Sequence, residues 1–378
     1  MSMRLYDTAR RAVVPFEPPQ IVRMYTCGVT PYDTTHLGHA ACFVSYDVVQ
    51  RRLRDLGHET RCVRNITDVD DSILAKARQK GVHYLDLAAE EVAKFQNDMR
   101  VLGQLDSYSE PRATSAIPDI LGFIGMVLDA GHAYQAGGAV YFDVHSWERF
   151  GQISHLDRNE MLASAAERGG NVTDNNKRDP LDFVLWQPSL PDEPSWDSLW
   201  GPGRPGWHIE CSALAMRELG APSGDLPAVD LHGGGGDLIF PHHECESAQS
   251  EAATGGRFCG HWMHYNYVKL DGVKMSKSLG NLVYVNRLVS DGWDPMAIRL
   301  AVVAHHYREG WEWFDHLLDD NTSRLKRWCD AGPGDAALDE VRARLDDDLD
   351  TPGALAAIDA AARARRPGVP EAAALLGL

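Results

Sequence analysis

The run I-V-R-M-Y-T-C-G-V-T-P-Y-D-T-T-H-L-G-H, Ile21 to His39, decides how the chain folds. Its opening, I-V-R-M-Y-T-C-G, is rich in Ile, Val and Tyr and closes on Gly28, which reads as a short buried strand. After His39, apolar Val44, Val48, Val49, Leu53 and Leu56 recur at helical spacing until Gly57 ends the pattern. E-T-R-C-V-R-N-I, residues 59–66, then reads as a second strand. Strand, turn motif, helix, strand is how a doubly wound parallel α/β sheet begins. In such sheets ligands sit beyond the C-terminal ends of the strands.

The remaining sequence divides around this sheet. Residues 1–97 read as its first half. Residues 98–205, with the helical pattern I-P-D-I-L-G-F-I-G-M-V-L-D and the strand-like A-V-Y-F-D-V, read as an inserted α/β connective domain. The Pro- and Gly-rich stretch P-S-L-P-D-E-P-S-W-D-S-L-W-G-P-G-R-P-G marks the return to the main domain. Residues 206–292 supply the second half, including K-M-S-K-S, and 293–378 read as a C-terminal helical domain.

With 378 residues and 44% hydrophobic content the chain can fill a large core. The N-terminus lacks an apolar signal-peptide region and no stretch reaches the ~18 apolar residues of a membrane span, so a cytoplasmic protein without membrane contact is expected. Seven scattered cysteines do not make a disulfide framework in a chain of this size. A formal charge of −17 disfavours wrapping a polyanion, because nucleic-acid affinity rests on Lys and Arg neutralising phosphates.

H-L-G-H, placed between a strand and a helix, suits phosphate binding. Gly38 lets backbone approach a ligand, the helix start offers unpaired N–H groups, and His36 and His39 can donate to developing charge. K-M-S-K-S brings Lys274 and Lys277 together on a loop that can close over a triphosphate. G-G-G-G-D, Gly233 to Asp237, offers a turn for a nucleotide to lie against; it is not a Walker loop, since no G-K-[ST] follows. Each motif alone also fits a surface His pair, a solvated Lys/Ser loop or a flexible turn.

His242 and Glu246 stand four apart behind Pro241, a helix-opening residue, so both should project from one face. With Cys27 and Cys211 they make two thiolates, an imidazole and a carboxylate, an acceptable zinc shell joining the two halves of the sheet. Cys245 could replace Glu246, and His243, on a helix, would point about 100° away. A buried thiol pair without metal is the plain alternative. Asp68, Asp70 and Asp71 form a further acidic group whose expected job is capping the helix that starts at S-I-L-A-K.

Taken together, H-L-G-H, K-M-S-K-S, G-W-H-I-E-C and P-H-H-E-C-E resemble the class I aminoacyl-tRNA synthetases of the cysteinyl type, almost end to end. Within that group T-P-Y-D-T-T-H-L-G-H-A, R-G-G, A-H-H-Y-R-E-G-W-E-W and D-D-D-L-D-T-P-G-A-L resemble the mycothiol-pathway cysteine ligases. The resemblance implies a Rossmann-like catalytic domain that activates L-cysteine with ATP and Mg²⁺ and passes it to the amine of glucosaminyl-inositol, an amino sugar. His36, His39, Lys274 and Lys277 would stabilise the transition state. Cys27, Gly28, Val29, Thr30, Cys42, Asn65, Ile66, Thr67, Trp207, Gly235, Gly236, Asp237 and Val268 would hold substrate and adenylate. One Zn²⁺ on Cys27, Cys211, His242 and Glu246 would grip the substrate thiolate.

Only 100 residues follow Ser278. No anticodon-reading domain is therefore expected, and tRNA is not the expected acceptor. Two residues depart from the ligase pattern. Glu246 matches the cysteinyl-tRNA synthetase branch, and Cys42 stands where both branches carry Thr. They leave open a paralogue that acts on another small amine, or a truncated synthetase. No base for the attacking amine is identifiable.

Overall fold

The computed structural model describes residues 3–276, 279–330, 332–335 and 337–378. Its centre is a four-stranded parallel sheet built from β1 (Ile21–Val29), β2 (Glu59–Ile66), β3 (Leu231–Gly235) and β4 (Trp262–Tyr265). Their spatial order is β4-β3-β1-β2, so the chain winds outward from β1 in one direction and later returns to its other side. The switch point lies between the C-terminal ends of β1 and β3, where a doubly wound sheet opens its crevice.

Alternation along the strands assigns side chains to two faces. Val22, Met24, Cys62, Leu231 and Met263 pack into one apolar cluster with helix α1 (Leu37–Asp55) and the C-terminal helices. Tyr25, Cys27, Val63 and Trp262 join a second cluster with α2 (Trp207–Leu219), α3 (Glu244–Thr254) and the insertion. Cys27 is thus aimed at α2 and α3 by strand parity. At Gly28 a side chain is impossible without movement: a Cβ there would lie 1.7 Å from the Asn65 carbonyl oxygen of β2.

The insertion is an antiparallel sheet, Ala133–Ala136, Ala139–Phe142, Phe183–Gln187 and Arg204–Pro205, backed by the helix Ile117–Asp129. Its last strand runs through Gly206 directly into α2. The division drawn after residue 97 falls inside the helix Tyr84–Val101, which continues unbroken because its buried face, Leu87, Val92, Phe95 and Met99, keeps helical spacing across that point.

The C-terminal part is helical in Pro295–Val303, His316–Cys329, Leu338–Asp346, Thr351–Arg363 and Val369–Ala374. It also supplies a strand that helical reading misses. Trp311–Glu312 pairs in parallel with Val268–Leu270, whose other edge carries Val273–Lys274, the start of K-M-S-K-S. Trp311 anchors the strand by donating from its indole nitrogen to the Tyr265 hydroxyl at 2.7 Å. Among the described residues no helix is long and apolar enough to cross a membrane.

Candidate active site and metal centre

Two groups of residues meet at the switch point. The first surrounds the start of α1. His36 is its N-cap, and His36 Nδ1 accepts from the Gly38 amide at 3.1 Å, which leaves the proton of the neutral ring on Nε2. His39 stacks on it with ring centroids 3.9 Å apart. The Leu37 amide donates to the Val283 carbonyl at 2.7 Å and His36 bridges Tyr284, so the segment after K-M-S-K-S lies against H-L-G-H. Lys274 Nζ stands 3.2 Å from Asp237 Oδ2 and 4.2 Å from the centre of the Tyr267 ring. The cation expected at the phosphates and the carboxylate expected at the ribose are therefore neighbours. Lys277 lies outside the described residues.

Gly235 ends β3 and Gly236 and Asp237 turn out of it. Cys42, on the buried face of α1, has its thiol pushed up by burial and then by the charge of Asp237. Val268 is buried, and its carbonyl accepts from the Met275 amide at 2.9 Å. The ends of β1 and β2 are knit together. Asn65 accepts from the Gly28 amide at 2.8 Å and donates to the Thr67 hydroxyl at 3.0 Å, while the Thr67 amide donates to the Val29 carbonyl and Ile66 is registered with Val29. Thr30 follows β1, and its carbonyl accepts from the Tyr32 amide.

The second group is buried on the α2/α3 side. One donor atom each from Cys27, Cys211, His242 and Glu246 lie within 4.8 Å of one another. Cys27 comes from β1, Cys211 from within α2, and the other two from either side of the α3 start. Glu246 Oε1 is 2.7 Å from His242 Nε2, and its Oε2 accepts from His232 at 2.7 Å. Burial opposes ionisation of Glu246, but the two imidazoles outweigh it and hold the carboxyl well below its usual range. Against the same burial penalty, Glu246 and Cys211 raise His242 to about 10. Burial, Cys211 and Glu246 push the Cys27 thiol up; its hydrogen bond to Cys211 draws that thiol down despite burial. A soft divalent cation fits this set, since it would compensate the packed thiolates and carboxylate that burial otherwise penalises.

His243 requires a correction. Residues Ile239–His243 form a wide irregular turn with Phe240 extended (φ −136°, ψ 135°), not the regular helix that would turn His243 aside. His243 Nε2 instead lies 3.2 Å from Cys27 Sγ, and its Nδ1 is 2.7 Å from His264 Nε2. Cys27, His232, His243 and Glu246 consequently make a second possible ligand set sharing two members with the first. Strand parity was the available signal for His232 and His264, which face the same side of the sheet as Cys27 and Tyr25. Cys245 is buried but belongs to neither set. Trp207 stacks on His242 with centroids 4.3 Å apart, which places it as a wall beside the cluster. Asp70 caps Asp71–Lys80 as expected, accepting from the Ser72 and Ile73 amides, and Asp68 instead accepts from Thr114.

Residues 13–323 match the model of the tRNA synthetases class I (C) catalytic domain. The chain is 48% identical over 365 residues to the L-cysteine:1D-myo-inositol 2-amino-2-deoxy-alpha-D-glucopyranoside ligase of Frankia casuarinae, covering 95% of this chain and 77% of that one. It is 47% identical to the ligase of that name from Acidothermus cellulolyticus, covering 94% and 88%. The chain belongs to this ligase family. A solved Mycobacterium tuberculosis methionyl-tRNA synthetase in complex with methionyl-adenylate superposes with a TM-score of 0.66 at 15% identity, covering 94% of this chain and 87% of that one. That likeness shows the fold, a class I synthetase architecture, in this member of the ligase family. Within it, Cys27 of the sulfur-rich cluster lies near the end of β1, and the histidines of H-L-G-H stand at the head of the helix that this strand leads into.

Proposed function

We propose that the protein activates L-cysteine with ATP and Mg²⁺ as cysteinyl-adenylate and transfers it to the amine of glucosaminyl-inositol, the acceptor named for its relatives. The observation that carries this reading is the buried Cys27, Cys211, His242 and Glu246 group beside the crevice. A zinc ion held by these four residues would supply a thiophilic Lewis acid for the substrate thiolate. Shape alone separates cysteine from serine by only ~1–3 kcal/mol, whereas preference for sulfur over a neutral hydroxyl removes the need for an editing site.

In the first step a cysteine carboxylate oxygen attacks the α-phosphorus of ATP and the bond to the β-phosphate bridge breaks, releasing pyrophosphate. His36 and His39 at the head of α1, with Lys274 and Lys277, act by electrostatics on the charge that builds there. Lys274 leaves Asp237 to do so, freeing that carboxylate for the ribose hydroxyls. Trp207 walls the side-chain pocket. In the second step the neutral acceptor amine attacks the activated carbonyl, the bond to AMP breaks, and an amide forms with loss of the amine proton.

The test offers purified protein ATP, cysteine and either glucosaminyl-inositol or tRNA, and detects products by mass. Amide and AMP with the amino sugar are expected. Acylation of tRNA alone would overturn the reading.

A further inference from the structure

A cleft of about 480 Å³, inside the usual ~300–1,000 Å³ range of small-molecule sites, joins the inserted domain to the start of α2. Trp207 and Cys245 line it, so it adjoins the ring stacked on His242. Four carboxylates, Asp70, Asp71, Asp174 and Asp182, share its lining with two cations, Arg168 and Lys177. The activation step proposed above uses none of these six.

Lys177 is the unusual member. It is half-buried, yet among the described residues its ammonium has neither a hydrogen-bond nor an ion-pair partner. Burial lowers its pKa against the pull of Asp174 and Asp182, and its charge also acts on Cys245 and His208 near the inner wall. An unpartnered, partly desolvated ammonium is a donor waiting for ligand oxygens. Asp174 holds the Tyr141 hydroxyl at 2.7 Å and retains acceptor capacity, and Asp70 caps its helix through Oδ1 alone.

We propose that this cleft is the acceptor subsite, seating an amino sugar joined to a cyclitol, with Asp70 drawing the amine and Asp174 and Lys177 bonding ring hydroxyls. The assignment rests on the function proposed above and adds where its second substrate binds. With Asp71 paired to Arg204, the remaining Asp70, Asp174 and Asp182 outnumber Arg168 and Lys177 by one, a slight acidity that suits a cationic amino sugar and disfavours the phosphates of a tRNA end. Mixed donors and acceptors beside the Trp207 ring suit a polyhydroxylated ring with one less polar face.

Two variants test it. Asp70→Asn keeps the cap, since Asn serves there as well as Asp, and removes the charge. Lys177→Ala breaks no existing bond. Both should raise KM for glucosaminyl-inositol in amide formation by roughly tenfold or more, the effect of losing a hydrogen bond to a charged group. Cysteine-dependent ATP–pyrophosphate exchange, which needs no acceptor, should keep its rate. Lys177→Ala should also narrow the preference for glucosaminyl-inositol over glucosamine. Unchanged KM in both variants, with the unaltered protein making the amide, would overturn the subsite and leave the proposed function standing. Parallel loss of exchange would overturn it too, by marking these residues as structural. If the unaltered protein forms no amide with the amino sugar, both proposals fall together.

Discussion

At the scale of single residues, the chemistry is concentrated in donor atoms that burial makes costly to leave unpaired. Cys211 sits in the middle of the buried face of α2, 1% exposed, with Cys27 and His242 as neighbours. Cys211→Ser keeps the volume close and replaces a thiolate by a hydroxyl that stays protonated. Cysteine-dependent pyrophosphate exchange should fall by at least ~100-fold while ATP binding, measured by calorimetry, changes little. Bound zinc, measured by elemental analysis, should drop in parallel; undiminished exchange would sink the metal assignment. That Cys27, Cys211, His242 and Glu246 come together was legible from the four-residue spacing of His242 and Glu246 and from residue type. His243 was misjudged because an ideal helical wheel was applied to a turn whose Phe240 is extended.

Elements carry two further consequences. The approach of β1 to β2 at Gly28 is closer than any side chain permits. Gly28→Ala should push the strand ends apart, cost about 1–3 kcal/mol in denaturant unfolding, and depress exchange by disturbing Cys27 next to it. In the helix Tyr84–Val101, burial pushes the Asp98 carboxyl up to about 7, and Oδ2 has no hydrogen-bond partner. A carboxyl raised in the folded state favours folding most fully below its unfolded pKa. That contribution is lost as pH climbs towards about 7. Asp98→Asn should therefore raise Tm more at about pH 8 than at about pH 5; an equal gain at both would refute the cause given.

Over the whole molecule, one buried cation ties distant parts of the chain together. Arg299, fully buried, donates to the Leu376 carbonyl at 2.8 Å, to the Leu102 carbonyl at 2.9 Å and to Asp47 of α1. Asp47 in turn accepts from the Leu105 amide and from Arg51. Arg299→Ala would leave Arg51 as the cation beside Asp47 and orphan the buried Leu376 and Leu102 carbonyls, at a cost of about 1–3 kcal/mol for each group left unpaired. Equilibrium unfolding should show that loss, and the C-terminal helices should become the first region to exchange amide hydrogens.

The sequence alone determined the winding of the sheet, the placing of H-L-G-H at a helix start, and Cys27, Cys211, His242 and Glu246 as one candidate donor group. Those follow from local periodicity, turn chemistry and ligand type, which act over a few residues. Only the tertiary structure decided that His232 and His243 close around Cys27 with His264 behind His243, that Lys274 rests on Asp237, and that Trp311 completes the strand pair leading to K-M-S-K-S. The reason is physical: such contacts join segments more than 20 residues apart, and which of them form depends on the register of strands and the packing of faces, quantities that no local run of residues carries.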